Sequence, residues 1–480
     1  MRKKWTIMFI MHALDNILVR EAQILVKLLE STEWDTASVN VLYLKNSYVD
    51  PPRGRKKRKI EARLFHIVDA TSNGKSESKE LENYGQINIG STINLAKIFE
   101  DVAAKFPSQR VMLFTWDHGS GFGVFEADPE SSSISGELSI TEIETLIRNT
   151  EGVRKPRFLI TNNKIAQLKQ SSTGDLTASP THEPNAIRLY PEVNTYLQDS
   201  EVRESTDILT NEELSRAIIS GFKGQKVDIL VMVNCFMQMV ETGYSLKNCV
   251  DYLVACETGF WAYGFDYQSI FLQLNQDPDT DTKFIGKLFV DTIENTYRRI
   301  NELKLLNSVV VSTCNLKYAD LVSDYINEFV RLVNSNIQRY YPLIKKARKK
   351  VPEISSLIFK RKSDIFAPFP IFIVDIMYLL FLLSNENDEI KRVFQTISND
   401  AVYNKYIVAR RIGSDFETDN MNVEEINGFS IYFPQFKKDA IGKEYYRYFY
   451  KHNAKFEIEF SKKTLWSQFL SVYLNLGELQ

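Results

Sequence analysis

Val111-Met112-Leu113-Phe114-Thr115-Trp116 runs directly into Asp117-His118-Gly119-Ser120-Gly121-Phe122-Gly123. The first six residues are apolar, β-branched or aromatic and do not alternate with polar ones. That pattern reads as a compact buried strand, of the kind found in a sheet covered by helices on both faces. A second run of the same form, Val227–Val233, ends in Asn234-Cys235. In open α/β sheets, sites form outside the carboxyl ends of strands. These two strand ends therefore decide the fold and also say where chemistry should be sought.

Working outward, Trp5–Met11 is a strand run, and Asn16–Leu29 has helical spacing of Ile17, Ala22, Leu25, Leu28 and Leu29. Val39–Leu44 and Ile60–Val68 are strand runs on either side of a basic connection, and Leu95–Phe106 is helical. The rhythm resumes with a helix at Asn211–Phe222, a strand at Val227–Val233, a helix at Phe236–Leu246 and a strand at Tyr252–Cys256. Helix Phe284–Ile300, strand Ser308–Ser312 and helix Tyr318–Asn334 continue it. Alternation of this kind predicts βαβ units. The expected fold class is α/β, a mostly parallel sheet sandwiched by helices. Between about Asp128 and Asp207 the pattern fails in favour of Ser, Thr, Asn, Pro and Glu, as in SSTGDLTASPTHEPN at 171–185. A polar stretch of that length inside a domain marks a functional or unstructured insertion. Beyond about residue 340 the character changes to a basic helix tip, Lys345–Lys350, and then to mixed elements. The expected division is a catalytic domain at 1–335, carrying the 128–207 insertion, and a mixed α+β C-terminal region at 336–480.

Composition narrows the function. The 480 residues carry 59 Lys+Arg against 61 Asp+Glu, a formal charge of −2, which lacks the basic footprint of a nucleic-acid binder. Four cysteines, none in a C-x-x-C pair, make no disulfide framework, and five scattered histidines make no obvious metal cage. The start, MRKKWTIMFIMHALD, imitates a leader, but its apolar run spans only Trp5 to Met11 and no small-residue cleavage site follows. A strand is expected there, with the chain as numbered in the cytoplasm; a secreted or periplasmic location would require a leader removed before residue 1. The apolar stretch Phe366–Leu383 is broken by Pro368, Pro370 and Asp375. It falls short of the roughly 20 residues that span a bilayer. A buried core segment is expected instead, and no membrane partner.

His118 and Cys235 sit where active sites of this class sit. If a helix follows Val233 at once, Cys235 lies in its first turn, where the positive helix end favours a thiolate. A histidine on a nearby strand end would accept and later return the proton, and the N–H of Gly119 would face a developing oxyanion. Other readings stand beside this one. A cysteine after an apolar strand is more often a small core residue, and a lone histidine more often structural. HGSGFG could cradle phosphate, and Ser120 could be a nucleophile. Both need a helix next, whereas Val124-Phe125-Glu126 reads as strand. A metal-dependent enzyme using His12, Asp117 and His118 is a further alternative.

The run Phe114–Phe122 resembles the W-x-H-G-S-G-W/F block of clostripain-like cysteine peptidases, which share the caspase–haemoglobinase fold with caspases, legumains, gingipains and separase. Cys235-Phe236-Met237, continuing into Val240-Glu241-Thr242-Gly243-Tyr244-Ser245-Leu246-Lys247, is similar to their D-A-C-L-M block and its V-E-x-A-Y-x-L-K helix. Lys4–Met8 with Asp15-Asn16, and Gly428–Pro434, resemble two further landmarks. The resemblance implies a Cys235–His118 dyad, an acyl-enzyme, and an oxyanion hole of the Gly119 and Cys235 backbone N–H groups. It also implies a protein or peptide substrate, and cleavage within 128–207, the place where relatives often cut themselves. Relatives typically carry Asp two residues before the cysteine to select Arg or Lys at P1. Here Val233 occupies that position, followed by Asn234. Glu257 or Asp266 could supply the missing charge, and with Trp261 these residues complete the candidate substrate pocket. A scaffold that retains binding without activity is the rival on the same fold.

No cofactor is expected. Calcium dependence occurs in parts of that family, but no D-x-[DN]-x-[DN]-G loop is present and the sequence places no calcium site. The basic run Arg53–Lys59 reads as a solvated hairpin loop, His12 and Asp15 as structural residues near the site mouth, and the chain as a monomer.

Overall fold

The computed structural model describes residues 2–14, 16–49, 59–69, 76–119, 121–125, 209–260, 264–293, 296, 309–354, 372–413, 427–434, 446–451 and 457–478. Asp15, the basic run at 53–58, Ser120, the 128–207 insertion and Trp261 lie outside them. The described residues group into two compact units.

The first unit takes in the described residues of Met1–Val227 and Phe271–Asp279. Its centre is β1 (Lys3–Ala13), which pairs in parallel with β2 (Val39–Val49) on one side and β5 (Ser108–Trp116) on the other. Every residue from Trp5 to Ala13 is buried. The leader-like apolar run is therefore the middle strand of a parallel set, which must be apolar on both faces. Phe9 lies opposite Phe114 in the ladder, and their rings stack 4.0 Å apart. Phe271 meets both edge-on. Burying side chains of this size stabilises by roughly 1.5–3 kcal/mol each. Helix α1 (Asn16–Ser31) buries Ala22, Leu25 and Leu29, the expected face.

β3 (Lys59–Asp69) returns antiparallel to β2, so the basic run joins two hairpin strands as expected. β4 (Ser76–Gly85) was not expected. Its sequence, SESKELENYG, carries no apolar alternation, yet it pairs antiparallel with β3 as the edge of the set. Exposed charge is how natural sheets blunt an edge, which also removes the hydrophobic signal. Helix α2 (Thr92–Lys105) follows, then β5, the short strands β6 (Gly123–Val124) and β7 (Leu209–Thr210), and helix α3 (Asn211–Gly221). α3 starts at a reciprocal cap in which the Glu213 N–H donates to Thr210 Oγ1 at 3.3 Å and the Thr210 N–H to Glu213 Oε2 at 2.8 Å.

The second unit takes in the described residues of Asp228–Ile270, Thr280–Lys360 and Pro370–Gln480. Strand order is β8 (Val227–Val233), β9 (Val250–Cys256), β10 (Val309–Asn315), β12 (Ile407–Gly413), and β10 runs antiparallel to both β9 and β12. A strand from the C-terminal region thus extends the same ladder. Between these strands lie α4 (Val240–Leu246), α5 (Tyr267–Gln276), α6 (Thr282–Asp291), α7 (Ala319–Ser335) and α8 (Ile337–Lys350). β11 (Ile373–Asp375) pairs antiparallel with β13 (Ser430–Tyr432), and Asp375 caps α9 (Ile376–Ser384). Leu379, Leu380 and Leu383 of α9 are fully buried, which is the core segment expected there. Among the described residues no helix is long and apolar enough to cross a membrane. The class is α/β, a mixed sheet with parallel central strands and antiparallel edges, flanked by helices.

Glu241, in the first turn of α4, ties this unit together. It is almost fully buried and accepts the Tyr432 N–H at 2.8 Å and the Tyr450 hydroxyl. Its other oxygen has no partner among the described residues. Burial pushes its carboxyl from the ordinary 4.5 up to about 7, against the pull of those hydrogen bonds. Below pH 4.5 the side chain is protonated folded or unfolded. As pH rises toward 7 the unfolded chain releases the proton first, so folding loses stability, on the order of 3 kcal/mol in all. Glu241→Gln mimics the protonated form. Urea denaturation at pH 4.5 and 7.5 is expected to show a fall for the wild type that the variant lacks; equal falls would contradict the assignment.

Candidate active site

β5 carries the histidine. Its apolar run stops at Trp116, and Asp117 and His118 follow as irregular backbone, Asp117 buried and His118 exposed. Gly119 forms an antiparallel bridge to Val124, so 119–124 is a tight return rather than the start of a helix. Gly121 adopts φ of 79°, natural for glycine, and Phe125 ends β6 at φ of 54°. Asn211 seals the turn: its side-chain amide donates to the Gly121 carbonyl at 3.0 Å and its N–H to the Phe122 carbonyl at 3.1 Å. The strand expected after HGSGFG is present as Gly123–Val124. The helix that a phosphate cradle or serine elbow requires does not follow.

Behind His118 lies a buried pair. His12, next to the end of β1, places Nδ1 2.7 Å from Asp117 Oδ2, with both side chains about 5% exposed or less. The Phe125 ring packs edge-on to His12 at 5.9 Å. Sequence analysis treats His12 as structural, and its engagement with Asp117 is of that kind. Among the described residues no group of three or more His, Cys, Asp and Glu is arranged to hold a metal. Removing one partner leaves a buried polar group unpaired, which costs about 1–3 kcal/mol. Asp117→Ala and His12→Ala should therefore destabilise by less together than the sum of the two singly. A double-mutant cycle by chemical denaturation measures this, and strict additivity would show the pair to be uncoupled.

β8 carries the cysteine, and here one expectation needs correcting. The helix does not begin after Val233; α4 starts at Val240, and Asn234–Met239 is a turn. Phe236 is held in the left-handed region at φ of 63°. Its N–H donates to the Thr258 carbonyl at 2.9 Å, and the Gln238 N–H donates to the Cys256 carbonyl at 3.0 Å. Amides committed sideways to the chain leaving β9 cannot close helical bonds, so the turn runs along segment 256–260. The thiol of Cys235 is half-buried, and its support is local rather than a helix end. The Phe260 N–H donates to Sγ at 3.3 Å, a contact that favours negative charge on sulfur. Below the turn, the Gln238 side chain donates to Ser312 Oγ at 2.9 Å and to Cys314 Sγ. Sequence reasoning missed Phe260, which acts through its backbone and therefore carries no signal in residue type. Gln238 was missed as well, a polar residue in an otherwise apolar run, CFMQM.

The pocket candidates disperse. Val233 and Asn234 are buried at the end of β8, at 3% and 1% exposure. Glu257, offered as a substitute acid, is fully buried; its Oε2 accepts the Gly428 N–H at 3.0 Å. Asp266 accepts the Ser269 hydroxyl at 2.8 Å and caps the start of α5. No disulfide involves any of the four cysteines. Cys249, Cys256 and Cys314 are buried, and burial raises the Cys256 thiol and pushes the Cys314 thiol up to about 12.

Residues 197–473, more than half of the chain, match the model of the clostripain family. No curated protein matches. Among solved structures, the chain is similar to a secreted C11 cysteine protease from Bacteroides thetaiotaomicron, at 14% identity and TM-score 0.54 over 90% of this chain and 94% of that one. It is similar at 14% identity and TM-score 0.54 to an inactive zymogen C11 protease from Parabacteroides distasonis, over 96% and 97%. A third structure, a secreted C11 protease from Bacteroides thetaiotaomicron bound to an irreversible peptide inhibitor, matches at 12% identity and TM-score 0.53 over 93% and 96%. At these identities the likeness concerns the fold.

Proposed function

The chain belongs to the clostripain family of cysteine peptidases, and from that premise we propose that it hydrolyses peptide bonds with Cys235 as nucleophile and His118 as proton acceptor and donor. The observation that carries this reading is the Cys235 turn. It lies within the matched residues, at the carboxyl end of β8, with a half-buried thiol that receives a backbone N–H. His118 falls before residue 197, so its role rests on the W-D-H-G-S-G block and its exposed place at the end of β5.

In this mechanism the imidazole of His118 takes the thiol proton and Sγ attacks the scissile carbonyl carbon. The backbone N–H groups of Gly119 and Cys235 hold the oxyanion. Collapse expels the amine, which leaves with the proton from His118, and forms a thioester. Water, deprotonated by His118, then releases the acid and the thiol. The tight Gly119–Val124 return gives the first donor a fixed backbone. The His12–Asp117 pair braces the strand end from which His118 projects.

Peptide or protein substrates follow from the family. For P1 we favour a neutral side chain, because Val233 is apolar and the carboxyls of Glu257 and Asp266 are engaged elsewhere. The polar stretch 128–207 is the proposed site of self-cleavage. The test is incubation under reducing conditions with a peptide library and mass spectrometry of substrate and enzyme. Turnover blocked by iodoacetamide, with alkylation mapped to Cys235, is the expected result. Turnover indifferent to alkylation but abolished by a chelator would overturn the mechanism.

A further inference from the structure

We propose that Glu257 is a positioning residue for the nucleophile: its carboxyl, carrying a proton shared with Asp375, anchors the segment from which the Cys235 turn hangs. This rests on the reading of Cys235 as nucleophile. The carbonyls on either side of Glu257 hold the turn, Cys256 accepting from Gln238 and Thr258 from Phe236, and three residues beyond Glu257 the Phe260 N–H reaches Sγ. The backbone of Glu257 is pinned through its N–H to the Val310 carbonyl at 2.8 Å, and Thr258 Oγ1 takes the Val310 N–H at 3.1 Å. What remains is the side chain, which reaches away from the turn into the unit's interior. There its Oε2 accepts the N–H of Gly428, a glycine at φ of 96°.

Asp375 faces it from β11, and its own acceptors are committed. Oδ1 takes the Tyr378 N–H at 2.8 Å and the Asn427 side-chain amide at 3.1 Å, while Oδ2 takes the Asn427 N–H. An aspartate meeting three donors is ionised. The remaining Glu257 oxygen, Oε1, has no donor among the described residues, and two ionised carboxyls side by side in a dry interior would repel. A proton on Glu257 converts the repulsion into a hydrogen bond toward Asp375. Burial first, and the Asp375 carboxylate next, raise the Glu257 carboxyl well above its ordinary range. The other charged or titratable groups acting on it are Arg410 of β12, which favours ionisation and donates to Asn427 Oδ1 at 2.9 Å, and the Cys314 thiol of β10.

The proton assignment separates the two acids experimentally. In Glu257→Gln the carboxamide oxygen can accept from Gly428 and its NH2 can donate to Asp375, as the protonated acid does. In Asp375→Asn an NH2 is forced against N–H donors. The measurements are kcat/KM on a neutral-P1 peptide and the rate of Cys235 alkylation by iodoacetamide, mapped by mass, between pH 5 and 10. Glu257→Ala is expected to lose at least tenfold in kcat with little change in KM, and Glu257→Gln to restore most of that loss. The wild type should lose kcat on an alkaline limb that Glu257→Gln lacks. Asp375→Asn should resemble Glu257→Ala. If Glu257→Ala does not fold, the comparison of wild type with Glu257→Gln decides by itself. Identical alkaline limbs in those two, or Glu257→Gln as impaired as Asp375→Asn, would overturn the proposal. Wild-type activity surviving complete Cys235 alkylation would instead strike the proposed mechanism, and the alkylation profiles would still judge whether Glu257 orders the turn.

Discussion

Cys235→Ala should lower kcat/KM on any peptide substrate by roughly 10⁴-fold or more, leaving a correctly folded protein. The nucleophile supplies the covalent intermediate, and what survives its removal is substrate positioning and oxyanion binding alone. The turn that holds it is fixed by backbone hydrogen bonds from Phe236 and Gln238 rather than by the thiol, so the truncation removes chemistry without removing structure. His118→Ala should cost about 10²–10⁴-fold, the range of a general acid–base. The double variant should be little worse than Cys235→Ala, because the two side chains serve one step. The other thiols cannot substitute. Cys249, Cys256 and Cys314 are buried, and a Cys314 thiol raised to about 12 is scarcely ionised at neutral pH. Initial-rate kinetics with matched thermal unfolding curves provide the check. Full activity in Cys235→Ala would refute the mechanism.

The parts of the molecule legible from sequence are those where burial imposes residue type. β1, β5 and β8 are buried on both faces, so their apolar runs announce them, and β8 falls on its expected range, Val227–Val233. β4 was illegible for the converse reason: an edge strand is stabilised by the ladder of its neighbour β3, and its side chains are chosen to discourage further pairing. The site divides in the same way. Cys235 and His118 could be found because their chemistry needs those side chains at strand ends. The local geometry of the thiol could not, because the Phe260 N–H that meets it and the carbonyls of Cys256 and Thr258 that hold its turn belong to the backbone. The V-E-T sequence after the turn suggested a helix continuous with Phe236. Glu241 does open a helix, but the residues before it are spent on cross-chain bonds, which no periodicity reveals. Glu257 shows the limit most sharply. Its residue type pointed to a pocket acid, and only its burial beside Asp375 and Gly428 reveals an anchor.

The second large effect concerns Val233. A P1 guanidinium brought against this buried, apolar side chain exchanges water for a surface that offers no acceptor, a penalty of several kcal/mol unless a carboxylate answers it. Asp266 is committed to capping α5 through Ser269, and Glu257 to Gly428. Peptides with neutral P1 residues should therefore exceed otherwise identical Arg and Lys peptides in kcat/KM by about 10²-fold, the ratio that roughly 3 kcal/mol supports. Val233→Asp should invert that order by pairing the cation, with the larger gain for Arg, whose planar fork can bind a carboxylate through two hydrogen bonds. The same substitution buries a carboxylate in the unliganded enzyme, so the variant should also unfold more readily, and saturating Arg-containing inhibitor should recover part of that loss. Kinetics on a P1 panel, with thermal unfolding in parallel, separate the two consequences. An enzyme that already prefers Arg or Lys, and keeps that preference in Asp266→Ala, would mean that some other acceptor reaches the P1 side chain and that Val233 does not set specificity. An apolar preference that Val233→Asp leaves untouched would also sink the assignment, provided Cys235 is still alkylated at the wild-type rate. That rate reports on the turn directly, two residues from the substitution, and so distinguishes a pocket left unchanged from a nucleophile displaced.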